Sequence, residues 1–165
     1  AVITPYEYKP EPERPARGEG ESVHLRPGEG NGFDRATRYL GEDASVHIAA
    51  VVDRDGLLLG HFQRGAHAAE DWAPLARLFY EQNQAVTSRF SNRLPERLSL
   101  RFNDLKVTIA RDETFYLLVA ADRHNDEMLN IRFSQALEIV RKYVAERYGN
   151  DRAMNTENAY VRSAQ

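Results

Sequence analysis

The stretch Gly28-Glu29-Gly30-Asn31-Gly32, ahead of a helix-like segment, has the glycine density of a loop that cradles phosphate. Its spacing is not G-x-G-x-x-G, no G-K-[S/T] follows, and Pro27 interrupts the strand-like Ser22–Leu25 before it, so a hinge is expected. Asp53, Asp55 and Gly56 echo the first half of a calcium loop, but no third acidic ligand follows and no Glu closes the loop. A structural turn at Asp55 and Gly56 fits better. The histidines, His24, His47, His61, His67 and His124, are scattered. His61 and His67 with Glu70 and Asp71 come nearest to a ligand group, yet the chain has neither H-E-x-x-H nor a histidine pair four apart. No serine lies in a G-x-S-x-G elbow, and the carboxylate pairs Asp112/Glu113 and Asp126/Glu127 fall at turns, where they are solvated. Trp72 and Phe79 suit a core better than a binding box. The expectation is a protein with no catalytic residue, no metal and no cofactor.

Composition narrows the remaining classes. The chain of 165 residues fits one compact domain with an appendage. Its 22 Lys and Arg stand against 25 Asp and Glu, which offers nucleic acid no electrostatic footprint and a membrane no polybasic handle. There is no cysteine, which excludes a disulfide framework, a thiolate metal site and a cysteine nucleophile, and suits a cytoplasmic setting. No apolar run approaches membrane-spanning length, and the start lacks a signal-peptide pattern.

Five of the seven prolines and four of the ten glycines lie in the first 30 residues, so 1–31 reads as an extended arm. Val2, Ile3, Tyr6 and Tyr8 could dock on the domain or a partner, but a disordered tail fits them better. A domain is expected over 32–148 and a loose tail over 149–165, because Gly149 suits a helix C-terminus.

Within the domain, Phe33, Ala36 and Leu40 mark a short helix over 33–40. Residues 46–53 form a strand with Val46, Ile48, Ala50 and Val52 on one face and Ala49 and Val51 on the other, hence covered on both sides. The Asp53–Gly56 turn and a return strand over 57–62 complete a hairpin. A long helix over 69–90 has Asp71 as its expected cap and Pro74 in its first turn. Trp72, Leu75, Ala76, Phe79, Val86 and Phe90 form its core stripe, widened by Leu78, Gln82, Ala85 and Arg89. An antiparallel meander follows over 97–102, 105–110 and 115–121. The first two strands alternate cleanly; the third is apolar on both parities and belongs beside 46–53, which leaves 97–102 at an edge. The last helix, inside 126–148, carries Leu129, Phe133, Ala136, Leu137, Val140 and Val144.

This order, with Ala49–Gly60 as its most specific piece, then Arg97–Asp122 and Leu129–Val140, resembles the Roadblock/LC7 family over about residues 33–147. The glycine usual before the family's last helix is replaced by Glu127-Met128. The resemblance implies a three-layer α/β/α sandwich around a five-stranded, mostly antiparallel sheet. It further implies a homodimer that serves as a platform for a Ras-like small GTPase, as in bacterial relatives where the dimer regulates a polarity GTPase without supplying a catalytic side chain. The exposed edge strand and the over-wide helix agree with pairing. They place Leu78, Gln82, Ala85, Arg89, Arg97, Ser99 and Arg101 at the dimer interface, and Arg77, Glu81, Gln84 and Ser88 on a partner-binding face. Two other readings remain open: a small-molecule-sensing signalling domain with Trp72 and Phe79 lining a pocket, and an adaptor with no GTPase partner.

Overall fold

A computed structural model describes residues 31–163 except Leu94, His124 and Asn125, with side chains described as far as Gly149 apart from those three and Asp126. The arm with Val2, Ile3, Tyr6, Tyr8 and His24, and also His124, lie outside the described residues.

Helix α1 (Gly32–Gly41) begins where the Asn31 side chain accepts a hydrogen bond from Asp34 N at 3.0 Å. Asn31 and Gly32 are therefore not a hinge. A Cβ on Gly32 would lie 2.3 Å from the Tyr143 ring, so glycine is needed for close approach; residues 28–30 fall outside the described residues. Strands β1 (Val46–Asp53) and β2 (Leu58–Gln63) make the expected hairpin. The Asp53 carboxylate accepts from the amides of Asp55 and Leu57 at 2.9 and 2.8 Å, and Gly56 takes φ +95°. Helix α2 (Ala69–Thr87) leads into β3 (Arg97–Arg101), β4 (Leu105–Arg111), β5 (Phe115–Asp122) and helix α3 (Asp126–Ser163).

The strands form one antiparallel sheet in the order β2-β1-β5-β4-β3. The doubly apolar β1 and β5 are neighbours and β3 is an edge, as the parity of their residues required. Helices α1 and α3 cover one face, where Phe33, Leu40, Phe115, Phe133 and Val140 are fully or almost fully buried. Helix α2 covers the other, over Ile48, Val107, Ile109 and Leu118.

Five expectations change. Val46 lies on the face of Ala49 and Val51 rather than with Ile48, because the β1–β5 register shifts between Val46 and Ile48. One extra residue there inverts the alternation. The buried stripe of α2 is Ala69, Ala73, Ala76 and Tyr80; Trp72, Leu75 and Phe79 are only half-buried beside it, and Val86 and Phe90 are exposed. Small side chains let the helix sit low on the sheet, and this moves the large ones to its flank. Asp71 is not the cap: the N-cap is Ala68, and the first amide, of Ala69, donates to the Gln63 side chain at 3.2 Å. The helix also ends at Thr87, with 88–90 in a turn. Finally, α3 does not stop at Gly149 but runs to Ser163, since glycine in a helix interior costs only about 1 kcal/mol relative to alanine.

Candidate partner-binding face

The chemistry-bearing residues are not brought together. The Nε2 of His47 lies 2.7 Å from Asp122 Oδ1, and the His67 ring stands edge-on between His47 and Trp72, with centroids 6.1 Å from each. His61 is exposed elsewhere on β2. Among the described residues no cluster of three or more His, Asp or Glu is placed to hold a metal ion. Asp112 pairs with Arg141 at 2.7 Å, which also holds Glu138 at 2.8 Å. Trp72 and Phe79 pack against the α2-side core. They line neither the cavity of about 280 Å³ between the β4–β5 turn and α3, nor the open groove of about 630 Å³ between β3 and α3.

What the sequence divides between two functions forms a continuous surface. Leu78, Gln82, Ala85 and Arg89 are all exposed, and their i, i+4, i+7, i+11 spacing puts them on one line of α2 and the turn that extends it. Leu78 is 46% exposed, and Val86 and Phe90 are 58% and 86% exposed. Sequence reasoning placed the last two in the core because helical periodicity alone does not say which part of a wide apolar arc faces inward.

Arg77, Glu81, Gln84 and Ser88 follow the neighbouring line. Arg77 Nε donates to Glu81 Oε1 at 2.7 Å, and Arg77 Nη1 reaches the Asp55 carbonyl at 3.5 Å. The hydrogen bond and charge of Glu81 raise the Arg77 pKa above its ordinary value. This line is thereby tied to the hairpin turn. Gln84 and Ser88 are exposed, and the Ser88 hydroxyl donates to the Ala85 carbonyl at 3.1 Å.

At the other edge, Arg111 N donates to Glu96 O at 3.1 Å and Phe102 N to Leu105 O at 2.7 Å. Hydrogen-bonding direction alternates along a strand, so Leu98 and Leu100 direct their backbone groups to β4, while Arg97, Ser99 and Arg101 direct theirs outward. The side chains alternate as well. Leu98 and Leu100 lie half-buried against the α2-side core, and the Arg97 guanidinium lies 4.6 Å from the Phe133 ring centroid and donates to Ser134 Oγ at 3.2 Å.

No family model and no curated protein matches the chain. Solved structures do. A Roadblock/LC7 domain from Streptomyces avermitilis is similar at 18% identity with a TM-score of 0.61, covering 67% of this chain and 96% of that one. An MglB in a tetrameric arrangement matches at 16% identity and 0.63, covering 73% of this chain and 96% of that one. The gliding protein MglB from Thermus thermophilus matches at 16% and 0.62, with the same coverage of 73% and 96%. The chain therefore has the Roadblock/LC7 fold, a five-stranded antiparallel sheet between α1/α3 and α2. No helix of the described residues is long and apolar enough to cross a membrane.

Proposed function

We propose that the protein is a homodimeric, non-enzymatic regulatory scaffold of the cytoplasm that binds and modulates a Ras-like small GTPase, with residues 1–30 as an arm outside the folded domain, since Asn31 of the expected arm caps α1. The observation that carries the reading is β3: an edge strand whose Arg97, Ser99 and Arg101 backbone groups point away from the sheet, next to an α2 whose Leu78 and Val86 are exposed. Unpaired edges invite pairing. Two copies related by a two-fold axis would pair β3 with β3 and set the α2 helices side by side, and a specific interface needs about 800 Å² per partner. In that arrangement Arg77, Glu81, Gln84 and Ser88 of both copies form one outward platform on rigid helices. The GTPase partner is supported by the Roadblock/LC7 resemblance and the shared fold with MglB structures.

Light scattering at micromolar concentration should report twice the 18.8 kDa chain mass. Ser99→Pro should shift the protein to monomer with its fold retained, because it removes an outward donor and leaves the β3–β4 ladder intact. Pull-down from the native lysate should then recover a GTPase with the parent and lose it with Ser99→Pro. A parent that stays monomeric at every concentration would remove the platform.

A further inference from the structure

The sheet has two edges, and the proposed dimer uses one of them. The other is β2, the last strand beyond β1. Arg64 N donates to His47 O at 2.8 Å, one step past the pairing of Ile48 with Gln63. Hydrogen-bonding direction alternates along an antiparallel ladder, so Phe62 and Gly60 exchange bonds with Ala49 and Val51, while His61 and Gln63 turn their amides and carbonyls away from the sheet. No further strand of the described residues lies beyond them, and both side chains are exposed. An open row of this kind pairs with whatever extended chain meets it.

The protein's own arm is placed to do so. Its 30 residues end at Asn31, which caps α1 and is only 6% exposed. A Cβ on Gly60 would lie 2.8 Å from Phe33 C and 3.0 Å from Asp34 N, and a Cβ on Gly41 would lie 2.5 Å from the Phe62 ring. Helix α1 therefore rests on β2 and runs in the same direction, from Gly60 towards Phe62. A chain that turns back before α1 runs antiparallel to β2. Ser22–Leu25 is strand-like, and Arg26–Gly30, with Pro27, Gly28 and Gly30, has the composition of a turn. The step from Leu25 to Asn31 reaches up to ~20 Å, whereas the helix to be passed is ~10 Å across. Asn31 itself calls for a returning chain. Its Oδ1 caps the helix, its Nδ2 is buried, and no described residue accepts from that nitrogen. A buried donor needs an acceptor, and a main chain that folds back over the start of α1 brings carbonyls to it.

We propose that Ser22–Leu25 adds to β2 as a sixth, antiparallel strand, with Ser22 opposite Gln63 and His24 opposite His61. This register sets Val23 opposite Phe62 and Leu25 opposite Gly60 on the α1 side, where Phe62 is only half-buried against the core. Ser22 and His24 then share the exposed side of His61 and Gln63. A slip of one residue would turn Val23 and Leu25 to that exposed side, so the alternation of the segment selects the register. The added strand also limits assembly, a consequence that rests on the homodimer reading above. With β3 of two copies paired, an open β2 at each end lets dimers join edge to edge without closure, and the arm occupies that edge.

Hydrogen exchange on the full chain tests the strand. The amides of His61 and Gln63 should exchange slowly in the parent and lose that protection in His24→Pro, which removes the donor to His61 and bends the segment. Val23→Pro should keep it, because the Val23 amide faces solvent at the new edge. Parent amides that exchange freely, protection that survives His24→Pro, or protection lost only in Val23→Pro overturns the inference. The chain has no cysteine, so a Ser22→Cys, Gln63→Cys pair is the one disulfide it can form within itself. A cross-link at the mass of one chain assigns the strand to its own domain. A covalent dimer gives the edge to a second copy, and failure to cross-link removes the register; either overturns the inference. In sedimentation, His24→Pro should form species larger than the parent. A variant that loses protection but keeps the parent's mass overturns the limit on assembly and leaves the strand standing. A parent that is monomeric overturns the dimer alone, because β2 is not in that interface.

Discussion

The two faces of the sheet are built differently. Between the sheet and α1/α3, Phe33, Phe115, Phe133, Leu40, Leu117 and Val140 are at most about 1% exposed, and the layer is closed. Between the sheet and α2, three alanines and Tyr80 fill the contact, while Trp72, Leu75 and Phe79 stand half-buried and Leu78 and Val86 face solvent. A chain with enough large apolar residues to finish both faces has left one open. Exposed large apolar side chains on α2, on a sheet that ends in the edge strand β3, are the features on which the proposed dimer rests.

The largest effect that can break this contrast is on the closed face. Phe133→Ala empties a site in contact with both helices and the sheet and should cost about 3–5 kcal/mol in denaturant unfolding. It also removes the ring beneath Arg97. Val86→Ser on the open face should change the stability of the monomer by no more than about 0.5 kcal/mol, yet weaken the dimer. Equal destabilisation by the two substitutions would mean that the faces are energetically alike, and the surface reading of α2 would lose its basis.

Much of this architecture is legible in the residues. The double parity of β1 and β5 makes them neighbours and the alternation of β3 leaves it at an edge, whereas β4, which alternates in sequence, buries Lys106 and Thr108 on one face as well as Val107 and Ile109 on the other. The missing parts are set by single local events with no sequence signature. The register shift near Ile48 inverts one residue's face. The rotation of α2 onto its alanines reflects how closely a helix can approach a sheet. Arg64 is another such event: its guanidinium donates to the carbonyls of Gly41 and Ala44 at 2.8 Å each and so closes the C-terminal end of α1, a long-range cap that no spacing rule identifies. The proposed interface and partner residues share the same limit, since pattern shows that the apolar arc is wide but not which part of it stays outside.

Tyr80 is the deep anchor of the open face, and pH sharpens the comparison there. Burial pushes its phenol up to about 12. A proton held more tightly in the folded state gives a stability contribution that is fully present below pH 10 and falls away as the pH rises from 10 towards 12. The loss should reach about 2–3 kcal/mol, and Tyr80→Phe should be free of it. Parallel stability–pH curves for parent and variant over that interval would show that the α2 face does not exclude water from this ring.

The hairpin turn belongs to neither face and calibrates both. Gly56→Val should cost about 1–3 kcal/mol. At φ +95° the strain is backbone alone, since a Cβ there would meet nothing within 4 Å. A chelator should leave the melting curve of the parent in place. A chelator-dependent shift would mean that Asp53 and Asp55 hold a cation instead of shaping a turn.

The smallest effect on stability carries the most information about function. Arg77 and Glu81 form an exposed i, i+4 pair on the polar flank of α2, and such pairs contribute little because both side chains lose freedom and water screens the attraction. Arg77→Glu and Glu81→Arg should each leave stability within about 0.5 kcal/mol of the parent and leave the dimer mass unchanged. If the paired α2 helices form the GTPase platform, each single reversal should reduce GTPase capture or stimulated hydrolysis. The double variant keeps the net charge of the flank but exchanges the two signs, so it should restore stability without restoring capture, because a partner reads the position of each charge. Full recovery of capture in the double variant would show that the pair acts only by holding the helix and hairpin together. Single reversals that bind like the parent, set against lost capture on removing residues 1–30, would move recognition from the helix face to the arm.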